Sequence, residues 1–170
     1  SKSRMICDQC IGAEKNKPIQ LEDGRIIAPV ADRNGYQNGG IGVEKSTDGG
    51  ETWKLMSCVK GPKARQPTIL LHPGDRLQML CRGTPKLPTL WSDDGGDTWS
   101  KLENSILPGN WSGIDGVTLR DGRHLMTYNH VPSSGKGPRT FLNAAISKDG
   151  IAWSAALVLG ICAGGRGQFS

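Results

Sequence analysis

The amino-acid sequence predicts an all-β protein, a β-propeller of which the chain covers about three four-stranded blades. Three observations predict it. A box of the form S-x-D-x-G-x-T-W occupies residues 46–53, recurs at 92–99, and returns in worn form at 147–153. An apolar hairpin with a Gly-Arg or Gly-Asp-Arg turn precedes each box, at 18–28, 67–80 and 116–127. Helical periodicity is absent, and 24 Gly with 10 Pro make a turn-rich chain of short strands. Leu21, Leu70 and Leu119 stand 49 residues apart, a spacing in the range of propeller blades.

Each element follows from local chemistry. In the box, the aspartates Asp48, Asp94 and Asp149 accept hydrogen bonds from the turn's own backbone, and the glycines take the positive φ of a tight turn. Trp53, Trp99 and Trp153 then bury a large ring under the turn. These six residues are expected to be structural. First strands are expected at 18–21, 67–70 and 116–119, second strands at 26–28, 77–80 and 124–127. Third strands, 40–43, 87–91 and 142–146, lead into the boxes. Fourth strands follow each box Trp, at 54–56, 100–102 and 154–159. The blades therefore span about 14–60, 64–104 and 113–160, with 101–115 linking the second to the third. Three blades do not close a propeller, so the chain is expected to be a piece of a longer one, cut at both ends. Its open sheet edges leave room for self-association.

Bulk composition narrows the function classes. The net charge is +5, yet no basic run is interleaved with aromatics, which argues against nucleic acid; a basic pocket still suits an acidic substrate. No apolar run is long enough to span a membrane, and no signal-peptide pattern opens the chain. Localisation is not readable, because the natural N-terminus is expected to lie upstream. Five cysteines, an odd count, do not make a disulfide framework, and Cys7-Asp8-Gln9-Cys10 reads as incidental spacing. His72, His124 and His130 read as isolated surface or strand residues. No metal site and no cofactor is implied. Asn110-Trp111-Ser112 is a glycosylation sequon, relevant only to a secreted protein.

The repeat also locates a site. Both turns of a unit, Gly-Arg and box, fall on one face, so the starts of the first strands fall on the other, around the axis. Lys17, Gln66 and Asp115 hold matching places there, 49 residues apart. The second strands return to that face near Ala31, Arg82 and Asn129, so Arg82 is expected beside Gln66, and Asn129 beside Asp115. Asn16 adjoins Lys17. Such a polar ring suits a carbohydrate or carboxylate. Arg82 can grip a carboxylate bidentately, and Asp115, the ring's one carboxylate, can serve as acid, base or nucleophile. The same residues can instead simply satisfy backbone groups or water. Tyr36 and the polar loops 32–38 and 132–137 are candidates for added specificity.

The Asp boxes resemble those of the sialidase (neuraminidase) superfamily. More narrowly, Lys15-Asn16-Lys17-Pro18-Ile19, Gln66-Pro67-Thr68-Ile69-Leu70, Leu80-Cys81-Arg82, Ser112-Gly113-Ile114-Asp115 and Thr127-Tyr128-Asn129 are similar to the sialidase-like family of BNR-repeat proteins. The resemblance covers nearly the whole chain. It implies a six-bladed propeller, and it implies that the N-terminal blades and the last blade lie outside this sequence. Sialidases use an arginine triad, an Asp acid/base, and a Tyr activated by Glu. Arg82 resembles the second triad arginine, while Gln66 stands where the activating Glu is expected. An amide cannot act as that base, so sialic acid specificity does not follow. Two functions are open: an exo-acting glycoside hydrolase on a terminal, acidic or neutral, glycan sugar, with the fragment inactive alone, or a noncatalytic propeller that binds glycan or protein.

Overall fold

Alternating apolar residues bounded by Gly- and Asp-containing turns do fold as short antiparallel strands. The computed structural model describes residues 7, 10–31, 40–56, 58–60, 64–132, 139 and 141–160. Tyr36, most of the 132–137 loop and Cys162 lie outside them.

Among the described residues, thirteen strands make three antiparallel sheets. The first holds β1 (Ile19–Gln20), β2 (Ile26–Ala31), β3 (Gly40–Ser46) and β4 (Lys54–Leu55), with β5 (Val59–Lys60) pairing the far end of β3. In the second, β6 (Arg65–Leu71), β7 (Leu77–Arg82), β8 (Lys86–Ser92) and β9 (Glu103–Pro108) lie in sequence order. The third repeats that order with β10 (Asp115–Thr118), β11 (His124–Asn129), β12 (Leu142–Ser147) and β13 (Ser154–Gly160). These sheets are the three blades that the repeat predicts. Blades meet through β6, the first strand of blade two, which packs against β10, the first strand of blade three, and against β2, the second strand of blade one. Two cores follow: one around Ile27, Val43, Leu77 and Met79 joins blades one and two, and one around Leu70, Leu80, Met126 and Tyr128 joins blades two and three.

The boxes work as their chemistry predicts. Asp48 Oδ1 accepts the Thr52 amide at 2.9 Å, Oδ2 accepts its hydroxyl, and Trp53 Nε1 donates to the Gly50 carbonyl at 2.9 Å. The Thr52 hydroxyl and amide, with the Ser46 hydroxyl, bring the Asp48 pKa down to about 2. The worn third box keeps the essentials: Asp149 takes the Ile151 and Ala152 amides at 2.8 Å, and Trp153 donates to the Gly150 carbonyl at 3.0 Å. Gly150 survives there for a tertiary reason. Its φ is +72°, and a Cβ would collide with the amide of buried Gln78, which donates to the Gly150 carbonyl at 2.8 Å.

Several expectations are corrected. The fourth strand of blade two is β9 at 103–108, not 100–102, so a strand fills much of the expected 101–115 linker. Ser100 still meets Trp91, its amide donating to the Trp91 carbonyl at 2.7 Å and its hydroxyl accepting the Trp91 amide at 3.0 Å, but the ladder runs from Thr89–Glu103 to Lys86–Pro108, with a register shift between Lys86 and Pro88. Cys7 and Cys10 are joined by a disulfide, so their spacing is not incidental. The sequon asparagine, Asn110, is only 3% exposed and accepts the Ser112 amide, which leaves it inaccessible to glycosylation.

The histidines are not isolated. His72 and His124, from different blades, stack at 4.2 Å between ring centroids, and His72 also stacks on Trp91 at 4.8 Å. His130 meets the Tyr128 hydroxyl. His124 is 1% exposed; its Nδ1 bonds the Thr118 hydroxyl at 3.1 Å, and its Nε2 has no partner. Burial first, then the neighbouring His72, push its pKa down to about 4, against a weaker opposing pull from Asp149. The unfolded chain therefore takes up a proton near pH 6.5 that the folded one refuses until about pH 4. Stability from this group is full above pH 6.5 and lost as pH falls through that window. The melting temperature should drop between pH 7 and 5, and a His124→Gln variant should show a smaller drop. Equal drops in thermal melts would remove His124 as the cause.

Candidate functional site

The site is built from the first strands and what leans on them. Gln66, in β6, has a left-handed backbone with φ +46°. Its amide N–H donates to Glu14 Oε2 at 3.0 Å, and its carbonyl accepts Asn16 Nδ2 at 2.9 Å. Its side-chain oxygen accepts Arg82 Nη1 at 2.9 Å. The hairpin thus brings Arg82 beside Gln66, as the strand phase predicts. On its other side the Arg82 guanidinium faces Trp111, 5.4 Å from the ring centroid.

Lys17 and Asp115 meet from blades one and three. Lys17 Nζ lies 3.0 Å from both carboxylate oxygens and 3.1 Å from the Gly116 carbonyl. The Thr68 hydroxyl of blade two adds a bond to Asp115 Oδ1 at 3.2 Å, and the Gly116 amide adds another at 2.8 Å. All three blades therefore converge on one carboxylate. Partial burial pushes the Asp115 pKa up, but Lys17, the Gly116 amide and the Thr68 hydroxyl together hold it below the usual carboxylate value. Asp115 is ionised at neutral pH. It can accept a proton or stabilise a cation, and it is poorly suited to donate one.

Two predicted members are buried. The residue paired with Asp115 is Thr127, not Asn129; Asn129 lies two positions on, buried and opposite Leu142. The β10 strand begins at Asp115, so it has no residue left to pair with Asn129. Asn16 is 5% exposed and ties blade one to the Gln66 and Pro67 carbonyls, each at 2.9 Å. Its role is to set the chain that carries Lys17. Reading the sequence missed Glu14, Thr68 and Trp111. Thr68 sits inside the repeat at a first-strand position and was open to detection by phase. Glu14 and Trp111 act across loops that carry no periodic signal.

Comparisons with known proteins agree with this architecture. The family described as BNR repeat-like domain matches residues 9–163. A sialidase from Paraclostridium sordellii is 33% identical over 131 residues, which cover 70% of this chain and 32% of that protein. The chain thus spans about a third of that relative's length. Among solved structures, a Hadza microbial sialidase superposes with TM-score 0.69 at 17% identity, over 84% of this chain and 30% of that one. A protein of unknown function from Dyadobacter fermentans gives 0.67 at 21% identity, over 88% and 42%. NanB sialidase from Streptococcus pneumoniae gives 0.64 at 19%, over 81% and 22%. At such identities the structures speak for the fold.

Proposed function

The chain belongs to the sialidase-like BNR-repeat family, and from that premise we propose that the full-length protein is an exo-acting glycosidase on a terminal acidic sugar of a glycan. This segment supplies one wall of the pocket. The observation that carries the reading is the guanidinium of Arg82, placed at the axial end of β7 and held by the Gln66 side chain. A fixed guanidinium fork is the natural partner of a sugar carboxylate. Asp115, at the start of the next blade's first strand, supplies a fixed anion, 44% exposed in its side chain and open to a ligand. As an ionised group it serves as a base or stabilises developing positive charge at the sugar ring. That the Paraclostridium sordellii relative is a sialidase supports the acidic-sugar class.

A second reading is favoured by one observation. Gln66 presents an amide to Arg82, so no carboxylate base stands at that position. A noncatalytic glycan-binding propeller needs none. Turnover of aryl glycosides by the full-length protein separates the two. If Asp115 takes part in the chemistry, Asp115→Asn lowers kcat by roughly 100-fold or more and leaves KM within a few-fold. Unchanged kcat removes Asp115 from the reaction. Glycan binding without hydrolysis of any substrate establishes the second reading.

A further inference from the structure

We propose that Trp111 is the positioning residue of this site: its indole braces the Arg82 guanidinium so that the site prefers a carboxylated sugar to a neutral one. The inference rests on the reading of Arg82 as the ligand-binding cation.

The first observation is backbone geometry. Trp111 has φ +62°, a region that bulky residues seldom adopt. Only four non-glycine residues show positive φ among the described residues, and two of them, Trp111 and Gln66, flank Arg82. Residues kept in such conformations are over-determined by their surroundings, and they cluster at functional sites.

The second observation is what holds Trp111 there. Its amide donates to the Gly83 carbonyl at 3.1 Å, and the Gly109 amide donates to the Pro85 carbonyl at 2.8 Å. Gly109 packs so closely that a Cβ would sit 2.5 Å from the Gly83 oxygen. Buried Asn110 closes the loop by accepting the Ser112 amide at 3.2 Å. The loop between β9 and β10 is therefore docked on the turn that directly follows Arg82.

The third observation is the contact itself. The guanidinium carbon lies 5.4 Å from the indole centroid, and Gln66 accepts from Nη1 at 2.9 Å. A cation over a ring face is attracted by the ring's quadrupole. The amide fixes one guanidinium nitrogen and the ring restrains the group's position. A pre-oriented fork binds a carboxylate with less ordering cost than a free side chain. A neutral sugar gains nothing from that orientation. Trp111 is only partly buried, which leaves part of the ring beside Arg82 open to a sugar.

Calorimetric titration of the full-length protein with sialic acid and glucuronate, against glucose and N-acetylglucosamine, tests this. Wild type should prefer the acidic sugars. Trp111→Ala should weaken acidic-sugar binding roughly five- to tenfold and change neutral-sugar binding less than about twofold. Trp111→Phe, which keeps a ring, should recover most of the loss. Trp111→Gly suits the positive φ, so its melting temperature should be no lower than that of Trp111→Ala, with the same loss of acidic-sugar binding. An unchanged acidic-to-neutral ratio in Trp111→Ala overturns the role of Trp111 and leaves Arg82's intact. A wild type with no preference for acidic sugars overturns the reading of Arg82, and this proposal with it.

Discussion

Arg82→Ala in the full-length protein is expected to weaken binding of a carboxylated sugar by roughly 10- to 100-fold, the size of a lost charge-assisted hydrogen bond. The change should appear in KM or in a directly measured Kd, and a neutral analogue should be affected only a few-fold. Arg82→Lys should recover part of the affinity, because it restores the charge but not the planar fork. The expectation has a structural basis as well as a chemical one. Arg82 ends a strand whose interior positions, Leu77 through Cys81, are fully buried, so its backbone is fixed by the core. Its side chain is then set by Gln66 and faces Trp111. Equal loss for acidic and neutral sugars would mean that the variant disturbs the pocket's shape, and the carboxylate role would fall.

Met126→Ala is expected to destabilise the fold by about 2–5 kcal/mol, the usual cost of emptying a buried large side chain. For a domain of this size that is a fall of roughly 5–15 °C in melting temperature. Met126 is fully buried and packs where blades two and three meet, with Leu70 and Leu80 from the neighbouring blade. Gly116, opposite Met126 across β10–β11, has no room for a Cβ there because it would strike the Met126 sulfur, so the site is filled to its limit. Met126→Leu, close in volume, should cost less than about 1.5 kcal/mol. A thermal melt of Met126→Ala that matches wild type would show that the interface between these blades collapses around the lost side chain at no cost.

Much of the architecture was legible in the residues. The boxes announced their own turns, because Ser, Asp, Gly and Thr within one box bond mainly to one another. Their phase gave Lys17, Gln66 and Asp115 matching places, of which Lys17 and Asp115 do meet, and the hairpin rule paired Arg82 with Gln66. The same rule failed for Asn129, because β10 starts at Asp115 and register depends on where a strand begins. The fourth strand of blade two was placed three residues early, because no pattern within the repeat marks where the chain after the box Trp rejoins the sheet.

Whatever is written within one repeat was readable: the all-β class, the three blades, their turns and the order of their strands. Each of those depends on interactions between residues a few positions apart. Only the tertiary structure decided what the blades do to each other. It joined Lys17 to Asp115 across 98 positions, set Thr68 on the same carboxylate, buried His124 against His72, and swung Trp111 over Arg82. These contacts depend on how sheets pack around an axis and how a loop docks on a neighbouring turn. No spacing along the chain encodes those distances, so packing, not pattern, finished the site.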